Sequence, residues 1–182
     1  MRPVLTTGRR RVTMRPCTAA EALLGESHLY EQIVVGTDGS DGAGTAVDAA
    51  VQLAGLTGAT LHVVQAYKVV DAATMVMGAD APVLTSGVPE ANAAARDHAQ
   101  QVCDEAVEKA ERSGVRARAH AMPGKAADVL IQLAELVEAD LIVVGNRGMA
   151  GARRFVLGSV PNKVAHHCPT SVLVVDTAPA RA

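Results

Sequence analysis

The stretch IVVGTDGSDGAGTAVDAAVQLAGLTG, residues 33–58, decides the fold. Ile33 to Gly36 form a short apolar run rich in β-branched side chains, which is how a strand buried on both faces reads. The next segment, GTDGSDG over 36–42, is built from glycine, aspartate and serine, the residues of turns. From 43 to 56 the apolar spacing lengthens to that of an amphipathic helix, and Gly58 stands where a helix stop belongs. Strand, turn and helix in this order make the first half of a parallel βαβ unit.

The same alternation continues along the chain. Apolar runs at LHVVQAY (61–67), VRARAHA (115–121), LIVVG (141–145) and SVLVV (171–175) predict four more strands, and residues 89–112, 125–138 and 159–167 predict three more helices. Gly114 marks the stop of the second helix. The segment 69–88, rich in Met, Gly and Pro, has no period and is expected to be a mobile loop. In VRARAHA, Val115, Ala117, Ala119 and Ala121 share one face, while Arg116, Arg118 and His120 share the other. A strand of that kind belongs at a sheet edge, whereas IVVG and LIVVG belong at the centre. With right-handed crossovers this predicts an α/β fold: an open five-stranded parallel sheet in the order 3-2-1-4-5, with helices on both faces. Its topological switch point falls between strands 1 and 4.

The totals limit the function. The 182 residues carry a formal charge of −2, 49% apolar and only 2% aromatic residues, and no Trp. A core of Val, Leu, Ile and Ala suits helices packed on a sheet. Few rings remain to stack bases, and the slightly acidic balance argues against a duplex-DNA binder, where a basic face would be expected. Cys17, Cys103 and Cys168 are odd in number and far apart, which argues against a disulfide framework or a zinc site and for a cytoplasmic setting. No apolar run is long enough to span a bilayer. Residues 1–30 are expected to be a disordered basic extension, with Arg2, Arg9, Arg10, Arg11 and Arg15, residues 31–177 the folded domain, and 178–182 a short tail.

In an open parallel sheet, ligands bind beyond the carboxyl ends of the strands at the switch point. There GTDGSDG (36–42) and GNRG (145–148) would face each other across one crevice. The first is not the G-x-G-x-x-G of dinucleotide folds, and no acidic residue follows at the distance a ribose would need. Gly124-Lys125 is followed by Ala126, so no P-loop is present. What remains is Gly145-x-x-Gly148, nine residues, then Gly158-Ser159. Glycines there let the backbone approach a ligand, and Ser159 would open a helix whose free N–H groups favour a phosphate. Arg147, Arg153 and Arg154 supply cations, or in part a solvated loop surface, and no carboxylate lies between Gly145 and Lys163. The pattern fits an anionic, polyphosphate-type ligand.

The spacing G-2x-G-9x-G-[S/T] at Gly145, Gly148, Gly158 and Ser159, with IVVGTDGS at 33–40 and SVLVV at 171–175, resembles the universal stress protein family in its ATP-binding branch, over residues 31–176. The resemblance implies a Rossmann-like fold of the adenine nucleotide α-hydrolase type. It also implies ATP as ligand, with or without Mg2+, or cAMP as in some relatives. By the same resemblance Gly36, Thr37 and Asp38 would stand near adenine and ribose, and Ala66 would offer backbone contacts to the base. Val144 would pack on the base. Gly145 and Gly148, with Asn146 and Arg147 between them, would line ribose and phosphates, and Gly158, Ser159 and Val160 would hold the phosphates. Met122-Pro123-Gly124 places its proline before the glycine, unlike many relatives, and is left out of the site.

Plainer roles stand beside these. Asp38 can cap the first helix or its turn as well as face a ligand. His166-His167-Cys168 lacks the spacing of a metal site, and two histidines at a helix C-terminus suit its dipole. Cys103 is expected to pack as a small apolar group. SVLVV is apolar on both faces yet falls at a sheet edge, where it invites a second copy to form a homodimer. The expected function is a nucleotide-dependent regulatory module of the stress response, with slow ATP hydrolysis as the alternative.

Overall fold

A computed structural model of the chain describes residues 29–70, 87–146 and 157–177. Its elements are β1 (Gln32–Gly36), α1 (Asp41–Thr57), β2 (Thr60–Tyr67), α2 (Val88–Arg112), β3 (Ala117–Pro123), α3 (Ala126–Leu136), β4 (Leu141–Gly145), α4 (Ser159–His167) and β5 (Ser171–Val175). The five strands form one sheet in the order β3-β2-β1-β4-β5, and every neighbouring pair is parallel. The expected topology is the observed one.

Alternation along the strands sends side chains to two cores. Ile33, Val35, Leu61, Val63, Leu141 and Val143 meet Val47, Ala50 and Val51 of α1 and Cys103 and Ala110 of α2. Val34, Val64, Ile142 and Val144 meet Val129, Leu130 and Leu133 of α3 and Val164 of α4. Each fully buried Val, Leu or Ile contributes roughly 1.5–3 kcal/mol, so the central strands β1 and β4, apolar on both faces, anchor the domain. Lys163 of α4 bonds Asp128 of α3, and this cation holds the Asp128 carboxyl below its usual range.

Local chemistry sets the element ends. Ser40 caps α1: its hydroxyl accepts the Ala43 N–H at 3.2 Å, and Gly58 closes the helix in a left-handed conformation, φ 74°. α1 therefore begins at Asp41, two residues before the apolar period becomes visible. β3 begins at Ala117 rather than Val115 because the Val115 N–H turns back to Ala110 O at 3.1 Å and its side chain is buried in the core beneath α1 and α2. α3 stops at Leu136: Ala139 N–H bonds Ala134 O at 2.8 Å, and Glu138 takes a left-handed φ of 52°. β3 does lie at an edge, and Ala117 and Ala119 face the first core. Its other face is not simply solvated, since His120 is half-buried against His62 of β2.

Of the expected mobile loop 69–88, residues 71–86 lie outside the described residues, as do 1–28 of the basic extension and the tail 178–182. The loop's near ends are joined: the Asn92 amide accepts Val70 N–H at 2.8 Å and donates to Val70 O at 3.0 Å. Among the described residues no helix is long and apolar enough to cross a membrane.

Candidate functional site

The carboxyl ends of β1 and β4 lie side by side, with Val35 opposite Val143, so the turns that leave them start from one rim of the sheet. The Thr37 N–H donates to Val64 O at 2.9 Å, which holds the β1 exit flush with β2. One residue on, the Asp38 carboxylate accepts both the Ser40 N–H (3.1 Å) and the Ser40 hydroxyl (2.5 Å) through Oδ1. Its Oδ2 has no partner among the described residues. Asp38 thus organises the turn, and Ser40 is the helix cap. The Gly39 N–H reaches the Thr37 hydroxyl at 3.2 Å, and Gly39 has φ +75°, a conformation that disfavours a side chain. Gly36 is a glycine for a different reason: a Cβ there would stand 3.2 Å from Leu130 Cδ1 of α3.

On the flank, Ala66 near the end of β2 is half-buried and pairs with Met122 of β3. The Val144 side chain is 3% exposed and belongs to the core below the rim. Gly145 pairs with Val175 of β5.

Asn146 follows, and every polar group it owns is engaged. Its N–H donates to Val175 O (2.8 Å), and its side-chain amide donates to Asp176 (2.7 Å). Its Oδ1 accepts the Thr177 N–H (3.1 Å) and hydroxyl (2.7 Å). Its own carbonyl accepts the Gly158 N–H at 3.0 Å. That last bond closes the base of the loop between them, so the two glycine-bearing ends of the motif meet at one point. Arg147, Gly148, Arg153 and Arg154 lie outside the described residues.

α4 starts at this point. Gly158 is its N-cap and supplies no side-chain cap, and the first turn holds no acidic residue. Asn162 N–H bonds Gly158 O at 3.1 Å, and Pro161 has no N–H to offer. The Ser159 and Val160 N–H groups have no partner among the described residues, and they sit at the positive end of the helix dipole. The packing is close: a Cβ on Gly158 would stand 3.4 Å from Asn146 O and 3.6 Å from Pro161 Cδ. The rim therefore brings together a carboxylate turn on β1 and an uncapped, carboxylate-free helix start after β4. Such an arrangement can accept an anion at one end and hydroxyl donors at the other.

His166 and His167 are exposed in the last turn of α4. Cys103 is fully buried, and burial pushes its thiol up to about 11. Ser40, Leu130 and the Asn146 bonds to Asp176 and Thr177 are contributions that motif spacing does not reveal. A serine just before a helical period is a legible cap signal; the other two depend on tertiary placement.

Known proteins agree with this architecture. The universal stress protein family profile matches residues 29–176. The universal stress protein Rv1636 of Mycobacterium tuberculosis is 34% identical over 152 residues, covering 81% of this chain and 97% of its own. A solved universal stress protein in complex with cAMP is 33% identical, covers 82% of this chain and 98% of its own, and superposes with a TM-score of 0.58. UspA from Lactobacillus plantarum is 25% identical, covers 80% and 97%, and reaches a TM-score of 0.66. The fold, the order of its strands and the extent of these matches place the chain in the universal stress protein family.

Proposed function

We propose that the chain is an ATP-binding regulatory module of the stress response, with the nucleotide held across the carboxyl rim between the Asp38 turn and the start of α4. The observation that carries this is the convergence of the two turns: the Ser159 and Val160 N–H groups, without a partner among the described residues, stand beside the Asn146–Gly158 bond, on the rim where β1 delivers Asp38. In this proposal Ser159 and Val160 take the terminal phosphates, with Arg147, Gly148 and Gly158 around them. Asp38 Oδ2, without a partner among the described residues, accepts from ribose hydroxyls, Gly36 and Thr37 border base and ribose, and Ala66 offers its backbone to the adenine. Since the Val144 side chain is in the core, its contribution is confined to the floor of the base site. The Asn146 side chain, spent on β5, contributes through its backbone, and Gly145 is the hinge below it. Mg2+ would accompany the phosphates.

The relative in complex with cAMP favours a second ligand on the same rim. A cyclic monophosphate needs one anion subsite, which the α4 start offers, and leaves the arginines of the loop unused. Hydrolysis is the weaker chemistry, because a general base must be positioned and free, and Asp38 already holds Ser40. Two copies would pair through β5, giving a homodimer.

Mass spectrometry of nucleotide retained by the purified chain, followed by calorimetric titration with ATP and cAMP with and without Mg2+, tests the proposal. Retained ATP with negligible phosphate release is expected, whereas steady release abolished by Asp38→Ala would make the protein an ATPase. Gly148→Val is expected to weaken ATP binding at least tenfold with an unchanged unfolding midpoint. Undiminished affinity would remove that loop from the site.

A further inference from the structure

Away from the rim, His62 of β2, His120 of β3 and Gln32 of β1 form one hydrogen-bonded row across three strands. His62 is 2% exposed, its Nδ1 stands 3.0 Å from His120 Nε2, and its Nε2 stands 2.9 Å from Gln32 Oε1. The amide oxygen can only accept, so His62 carries its proton on Nε2, and Nδ1 offers a lone pair to His120 Nε2–H. The ring centroids are 5.2 Å apart and the planes differ by 26°. With the facing nitrogens at 3.0 Å, that separation means the rings meet end to end, each adding its own radius, and are not stacked face on face. The gap between the nitrogens holds one proton. It has no room for a metal ion, since two nitrogen ligands in line on a metal would stand about 4 Å apart.

This row forms part of the seam that fastens edge strand β3 to the sheet. Behind it, Cys103 of α2 donates to His120 O at 3.4 Å. A proton added at the outer nitrogen of His120 leaves the row intact. A second, on His62 Nδ1, would set N–H against N–H at the same contact and put two cations side by side in a buried place. Among the described residues, no carboxylate pairs with either ring. Arg118, directly across from His62 in the β2–β3 register, is a third cation. On this face α3 turns Ala127, Val129, Leu130, Leu133 and Ala134 inward and keeps Asp128 and Glu135 exposed, and β1 presents Gln32, a neutral amide. Gln32 borders a groove at the opposite, amino-terminal rim, where Glu31, Glu138 and Asp140 are also found; Asp140 accepts the Glu31 and Gln32 N–H groups at 2.7 and 2.9 Å.

We propose that the His62–His120 pair is an acid-released latch: one shared proton fastens β3 to the sheet, and protonation of both rings frees this edge strand while the central strands stay folded. Its release would loosen the turn after β3, whose Gly124 N–H bonds Tyr67 O at 2.9 Å, and so the outer flank beyond Ala66. Burial, then the neighbouring His120 and Arg118 charges, lower His62 from 6.5 to about 4, and burial and Arg118 lower His120 as well. His62 is neutral in the latched form. The latch is therefore at full strength above the ordinary histidine pKa and weakens as pH falls from there towards the folded value.

Native-state hydrogen exchange, corrected for the intrinsic pH dependence and read strand by strand on the whole chain, tests this alongside an NMR titration of both histidines. Between pH 7.5 and 4.5, β3 amides should lose on the order of 10²-fold protection, while β1 and β4 keep theirs. Arg118→Gln, an exposed change, should raise the His62 midpoint and shrink that loss, and His62→Leu/His120→Leu should abolish it. A His62 midpoint near 6.5, equal losses in β1, β4 and β3, or an unchanged loss in the double variant or in Arg118→Gln would each overturn the latch.

Discussion

Gly36 and Gly158 are the same residue type at the same rim, and they do different things. Gly36 leaves room for Leu130 of α3, whose methyl carbons would stand 3.2 and 3.3 Å from a Cβ. Gly158 gives its N–H to Asn146 and leaves the start of α4 uncapped. Motif spacing makes both visible but cannot reveal the packing role of Gly36, because its partner Leu130 comes from a helix 94 residues later in the chain. Gly36→Val should overpack that contact and cost about 1–3 kcal/mol, read as a lower urea midpoint at unchanged slope. Combining it with Leu130→Ala should recover part of the loss. The double role left open for Asp38 is resolved on one side: the cap is Ser40, and Asp38 holds the cap in place.

At the scale of elements, strands were legible wherever apolar residues run unbroken, as in β4 and β5. They were displaced where a helix end borrows the first residues, as Val115 shows. Helix ends were visible at Gly58, where a left-handed turn demands glycine, and missed after Leu136, where Glu138 takes that conformation instead. The alternation in VRARAHA places β3 at the edge, but nothing in it reveals that His120 meets His62, 58 residues earlier. β5 is a bare edge on which Leu173 is 38% exposed. A lysine there blunts strand pairing. The native chain should scatter light as twice its 18.7 kDa, and Leu173→Lys as a single copy with its circular dichroism retained.

For the whole molecule, topology was within reach of the sequence because few sheet orders satisfy a polar-faced edge strand, two central apolar strands and right-handed crossovers together. The candidate site follows from the sequence as a place, the switch point where the β1 exit and the start of α4 share one rim; the Ser40 and Asn146 hydrogen bonds do not. A nucleotide that binds only the folded chain should stabilise it by about 2.7 kcal/mol at a hundred times its Kd. For a chain of this size that raises the melting temperature by roughly 5–10 °C, and differential scanning with ATP and with cAMP ranks the two ligands directly. Asn146 adds a consequence on this scale, since one residue grips the exit of β5 with its side chain and the threshold of α4 with its carbonyl. Whatever displaces that carbonyl tugs on the strand where a twin would join. In the proposed dimer, self-association and ligand affinity would then be two arms of one thermodynamic square, each altering the other by the same factor.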